Sequence, residues 1–266
     1  MDPSASLSAP YAIRKMIKDG DYSGPTKGFV PGFTQCNVII LPQREAYDFF
    51  NFCQRNPETC KLLIPPTDPG CFRADELGKE VDIRHHIPKY QIFKNGQQAQ
   101  KCLQIEQLWR DDLVTFFFAS YLSFDYLLSQ YGIASHSVNP TTPLPLYISN
   151  IPCNPVGKYT ATQVLAMRAL SKPDLIKTIQ AATLSRLPFA MPLHFGTPQE
   201  VGIDDISKPN FGEPLTFSHN HLPVFWGSSL TAQLAITKAA PEFCIMNCPH
   251  HLLVTDMQDL ELAVHK

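Results

Sequence analysis

The chain is short of charge, of tryptophan and of long apolar runs. Charged residues make up 17% of its 266 positions and the net charge is −2. There is no basic footprint for nucleic acid and no electrostatic case for an anionic membrane surface. No apolar run approaches the roughly 20 residues that a membrane helix needs. The first twenty residues lack the continuous apolar core of a signal peptide. Arg14, Lys15 and Lys18 are set against Asp2 and Asp19, which weakens a transit-peptide reading. Eight cysteines are present, yet no CxxC pair and no Cys/His zinc spacing occurs among them. A chain of this length needs no staples, so they are expected as reduced thiols in a cytosol-like compartment. The expected location is cytoplasmic, with a mitochondrial one left open. The expected metal complement is none.

What is present is a large apolar fraction, 44% of residues, with 24 prolines and 17 phenylalanines. That is enough for one large or two small domains. Residues 11–19 carry Ile13, Met16 and Ile17 at helical spacing. TQCNVIIL (34–41) reads as a buried strand, with Gln35 and Asn37 projecting from one face at its start. Residues 44–54 read as a helix that Asn56-Pro57 stops. Residues 90–93 followed by Asn95-Gly96 predict a strand and turn, as in a hairpin. The apolar run 113–118 is read as part of a long helical tract over 105–131. Five prolines in 135–155 suggest a crossing between domains. Beyond it, strand (159–170), helix (173–187) and strand (192–195) form a β-α-β unit, and 215–266 is expected to re-enter the first layer.

The organising stretch is LPVFWGSSLTAQLAITKAAPEFCIMNCPHHLLVTD, 222–256. Its two apolar runs, each ending in small or polar residues, suggest an α/β layer with functional groups at the strand ends. Gly227, Ser228 and Ser229 read either as an ordinary helix cap or as a turn offering N–H groups and hydroxyls to an anion.

Several segments resemble the family of hydro-lyases that includes the D-glutamate cyclases. They are GPTKGFVPGFTQCNVIILP (24–42), DIRHHIPKYQIFKNG (82–96), LWRDDLVTF (108–116), NIPCNPVGKY (150–159), PLHFGTPQEVGIDDISKPNFGE (192–213), LPVFWGSSLT (222–231) and PHHLLVTD (249–256). The resemblance implies an α/β fold: a larger three-layer α/β/α domain (1–140 and 215–266) with a smaller two-layer α/β domain inserted at 141–214. It implies loss of water without metal or organic cofactor, as when the amine of D-glutamate attacks the side-chain carboxyl to give 5-oxo-D-proline. Such a site needs a base, an acid, donors for an oxyanion and a partner for a carboxylate. The partner implied is a small-molecule substrate, with a homodimer left open and neither nucleic acid nor membrane expected.

Asp125, His194, His250 and Arg84 are therefore the expected catalytic groups. Gln35, Asn37, Thr197, Trp226, Gly227, Ser228 and Ser229 are the expected substrate contacts. Each has a bland alternative: an Asp82–Arg84 pair, a core His194, amides that satisfy buried backbone. Arg110–Asp112 read as a charged collar and Asp256 as structural. The chain also departs from the family's pattern. Asp125 replaces a usual Glu, Thr197 an Asp, Asn247-Cys248 a His-Ala, His250 a Gly, and Gly227-Ser228-Ser229 an Ala-Cys-Gly. Three readings follow: a D-glutamate cyclase-like lyase, a cyclase repurposed for a larger and less polar substrate, or a binding protein without catalysis.

Overall fold

The computed structural model describes residues 10–27, 29–120, 122–133, 143–184 and 190–259. Part of the proline-rich crossing and the end of the helix expected at 173–187 lie outside them. The chain is mixed α/β, built on two antiparallel sheets. The first has six strands: β1 (Phe33–Pro42), β2 (Tyr90–Lys94), β3 (Gln97–Cys102), β4 (Leu113–Ala119), β9 (Phe243–Asn247) and β10 (Leu253–Gln258). One edge of β1 pairs with β4 along its length. Its other edge is shared by β10 near Phe33–Cys36 and β9 near Ile39–Ile40.

Alternation sends the residues of this sheet into two cores. Ile39, Leu41, Phe116, Phe118, Cys244 and Met246 pack on one face, and Val38, Ile40, Phe117 and Ile245 on the other. The first face is covered by helices α2 (Gln43–Arg55), through Phe49 and Phe52, and α6 (Leu230–Ala239), through Ala232, Ala235 and Ile236. The helix expected across 105–131 is corrected here: 113–119 is the fully buried strand β4, and only Leu122–Gln130 is helical (α4). A six-residue run, apolar but for Thr115 and buried on both faces, carries no period to separate strand from helix. Helix α1 (Pro10–Asp19) lies against β10, where Arg14 makes a two-pronged bond to Asp256, at 2.7 and 3.1 Å. Asp256 also accepts from the Lys79 N–H, which accounts for it structurally.

The second sheet runs β5 (Leu146–Pro152), β6 (Thr162–Ser171), β8 (His221–Gly227), β7 (His194–Phe195). Helix α5 (Lys172–Leu184) connects β6 to β7 with β8 between them, so the expected β-α-β unit is a split one. The short helix α3 (Pro57–Cys60) lies between α2 and α6. β8 does not rejoin the first layer as expected. It pairs with β6 along its full length, and only after Gly227 does the chain cross back through α6 to β9. All eight cysteines are free, six of them buried. Among the described residues no helix is long and apolar enough to cross a membrane.

Candidate active site

The crossing after β8 is where the two sheets meet around a cavity of about 380 Å³. Gly227 ends the strand because its Cα lies against the backbone of α3; a Cβ there would collide with the Glu58 carbonyl oxygen. The Ser228 N–H donates to the Val164 carbonyl at 2.9 Å, and the Leu230 N–H donates to Ser228 Oγ at 3.3 Å. The start of α6 is thereby fixed with the positive end of its dipole beside the cavity. Ser228, Ser229, Leu230, Gln233, Leu234 and Thr237 line it from this helix.

Opposite Ser229 stands Asn37 of β1, whose Nδ2 donates to Ser229 Oγ at 3.1 Å. Asn37 Oδ1 accepts from Asn247 Nδ2 at 3.1 Å, and Asn247 Oδ1 accepts from the Val38 N–H at 2.8 Å. This chain of amides fixes which way Asn37 presents its donors. Asn247 is its hub.

Lys27 and His250 come from two loops laced together. Thr26 donates to the His250 carbonyl through its N–H at 2.9 Å, and the Leu252 N–H donates to Thr26 Oγ1 at 3.0 Å. Gln35 braces the first loop from below, its Nε2 donating to the Thr26 and Phe29 carbonyls, each at 3.1 Å. Burial pushes the Lys27 ammonium below its usual pKa, and the positive charge of Arg168 adds to this while Asp125 opposes it. Burial likewise lowers His250, with Lys27 and His251 acting in the same direction, so its imidazole is held neutral. His250 has φ of +65°, a left-handed conformation that costs an L side chain of order 1 kcal/mol. A glycine there would carry none of that strain. Ser120, at the end of β4, and Gln91 of β2 complete the polar part of the wall, and Lys27 is its one cation among the described residues. The rest is apolar, including Phe93, Leu144, Leu146, Phe211, Met246 and Leu252.

Of the groups singled out from sequence, Asn37, Ser228, Ser229 and His250 line this cavity. The others do not. Arg84 is held by Asp82 through two bonds of 2.8 and 3.0 Å and stacks on Phe72 with Cζ 3.5 Å from the ring centre. His194 Nε2 is 2.9 Å from the Thr197 carbonyl, which ties these two residues to each other. Trp226 is buried and its Nε1 donates to the Ala190 carbonyl. Asp125 accepts from Arg168 Nε at 2.8 Å; Nη2 lies at 2.7 Å from the same oxygen without the alignment of a hydrogen bond. This pair acts on the cavity through the field it exerts on Lys27. His251, unlike His250, turns its Nδ1 to the Pro249 carbonyl. Lys27, Ser120, Gln91 and Gln233 were not singled out from sequence. The signal for Lys27 was its place inside GPTKGFVPGF, a loop with a Gly or Pro on either flank. Among the described residues no group of three His, Cys, Asp or Glu side chains is placed to hold a metal ion.

A family model described as D-glutamate cyclase matches residues 114–256. A protein of Bacillus licheniformis named "Putative hydro-lyase" is 37% identical over 257 residues, covering 96% of this chain and 97% of the relative. Relatives given the same description from Aliivibrio salmonicida (36% over 264 residues, 99% and 100% covered) and Afipia carboxidovorans (39% over 266 residues, 99% and 97%) align as completely. The chain belongs to the D-glutamate cyclase family.

Proposed function

We propose that this chain is a lyase that removes water from a small carboxylic acid within the cavity between its two sheets. The observation carrying this reading is that Lys27, Asn37, Ser228–Ser229 and His250, from four separate segments, line that one cavity. Each matches a need of the reaction. Lys27, its pKa lowered by burial, takes a proton from the attacking or eliminating centre. Neutral His250 relays a proton to the departing oxygen. Asn37 and Ser229, with the positive end of the α6 dipole, receive the developing oxyanion.

For D-glutamate the amine nitrogen would bond to the side-chain carboxyl carbon. One C–O bond would break, and the departing oxygen with two protons would leave as water, giving 5-oxo-D-proline. Holding amine and carboxyl in contact supplies much of the acceleration. The finer architecture belongs to the same proposal: a three-layer α/β/α domain (1–140 and 215–266) with an α/β domain inserted at 141–214, to whose sheet β8 lends a strand. So does a cytoplasmic setting with a small molecule as the partner.

The test is mass spectrometry of the protein incubated with D-glutamate and N-alkylated D-glutamates. A product lighter by one water, absent with Lys27→Met, is expected. No dehydrated product from any of these acids, or equal turnover by Lys27→Met, would overturn the reading.

A further inference from the structure

Asn37, Ser229 and His250 lie at one end of the cavity, and the space continues past them. Four residues of α6 line it, Leu230, Gln233, Leu234 and Thr237, which is one helical face. From Leu230 to Thr237 this face runs about 10 Å at 1.5 Å per residue. Strand β2 runs alongside, with Gln91 and Phe93 on one side of it, about 7 Å apart.

The register orients both elements. Tyr90 pairs with Asn247, which bonds to Asn37, so this end of β2 lies at the polar head. At the other end a Cβ built on Gly96 would lie 2.7 Å from the Ala240 Cβ and 3.6 Å from the Thr237 carbonyl, so that end meets the close of α6. The groove thus passes from Asn37 and Ser229, by Gln91 and Gln233, to Phe93, Leu234 and the exposed Thr237. Leu144, Leu146 and Phe211 of the second sheet's side add apolar wall. Lys27, the one lysine or arginine of the wall among the described residues, follows Thr26, whose N–H bonds to the His250 carbonyl, which puts it near the head.

A five-carbon diacid spans roughly 5 Å between its end carbons, at about 1.25 Å per chain bond. With one carboxylate at the head, its second would stop level with the amides of Gln91 and Gln233, short of the apolar end and, among the described residues, with no lysine or arginine beside it. We infer that the cavity is shaped for an acid with one anionic head at Asn37, Ser229 and the start of α6, followed by an apolar chain or ring of about six to eight heavy atoms lying along α6. This rests on the reading of the cavity as the reaction site and names its substrate class. It also agrees with the volume of about 380 Å³, which falls in the range of sites for ligands larger than a free amino acid.

Octanoate, butyrate and D-glutamate are the probes, titrated by calorimetry into the full chain. Octanoate reaches about 9 Å and butyrate about 4 Å on the same bond length. Each methylene taken out of water is worth about fourfold in affinity. Octanoate is therefore expected to bind at least tenfold more tightly than butyrate or D-glutamate. Thr237→Trp, at an exposed position, should weaken octanoate about tenfold and leave butyrate unchanged. Equal binding of octanoate and butyrate, or no effect of Thr237→Trp, would overturn the inference. Turnover of D-glutamate that octanoate fails to inhibit would also overturn it while leaving the lyase reading intact. Octanoate bound as expected, with no water lost from any acid supplied, would sustain the inference and remove the lyase reading.

Discussion

Asn37 and Ser229, 192 positions apart, share a 3.1 Å hydrogen bond that ties the middle strand of the first sheet to the start of α6. The bond sets the orientation of both polar groups at the head of the cavity. Asn37→Ala removes it and also leaves Asn247 Nδ2 without its Asn37 acceptor. The expected cost is about 1–2 kcal/mol in urea unfolding. If Asn37 donates to an oxyanion, kcat should fall about 100-fold with a smaller change in KM, as measured by steady-state kinetics on the dehydrated acid.

Lys27 must be an uncharged amine to accept a proton. Because burial lowers its pKa, the rise of kcat with pH should be complete below the ordinary lysine value of about 10.4. Lys27→Met should remove that limb and lower kcat by 100-fold or more. A wild-type rate that is flat in pH from 6 to about 10, the range below the ordinary lysine value, would contradict a proton-accepting Lys27.

Arg168 is 1% exposed and Asp125 is the carboxylate that balances it. Asp125→Ala strands a buried guanidinium, and the expected loss is about 3 kcal/mol. In a chain of this size that lowers Tm by about 8 °C. Replacing both partners, Asp125→Leu with Arg168→Met, should recover much of the loss, because the cost lies in the unpaired charge. A double variant no more stable than Asp125→Ala would show that the packing of Arg168 against Phe124 and Trp226 matters more.

His86 makes stability depend on pH. Burial, aided by the charge of Arg14, lowers its pKa to about 4 from 6.5, and its Nδ1 accepts the Asp82 N–H. Below pH 6.5 the unfolded chain takes up a proton that the native state refuses. The contribution of neutral His86 is therefore complete above about pH 6.5 and is lost as pH falls toward 4. Allowing for solvent screening, it amounts to no more than about 2 kcal/mol. Unfolding free energies from urea titrations at pH 7 and 4.5 should reflect that contribution, and His86→Asn should narrow the gap between them.

The elements that could be read from sequence are those whose neighbours in the chain determine them. β1 alternates between two cores, the β2–β3 turn carries Asn95-Gly96, and α2 stops at Asn56-Pro57. β4 could not be read, because Leu113–Phe118 is apolar but for Thr115, with no alternation, and its pairing partner, β1, lies more than seventy residues away. The site divides in the same way. Arg84 and His194 are chemically attractive, but Asp82, two positions before the one, and Thr197, three positions after the other, already occupy them. The Asp82–Arg84 pair is one of the bland alternatives the sequence offers; for His194 that alternative is core burial, and the tie to Thr197 is not among them. Lys27 looks like a solvent-exposed loop residue until Gln35 and the 250–252 turn, both distant in sequence or side-chain direction, fold that loop over the cavity.

Gly227 leaves no room between the end of β8 and the carbonyl of Glu58. On this backbone a side chain there would press on α3 and shift the crossing, carrying Ser228 and Ser229 with it. The anion-facing half of the cavity is thus of fixed gauge in this chain. Phe93, Phe211 and Leu234 sit under no such constraint, so the far wall can be resized without moving the serines at the head.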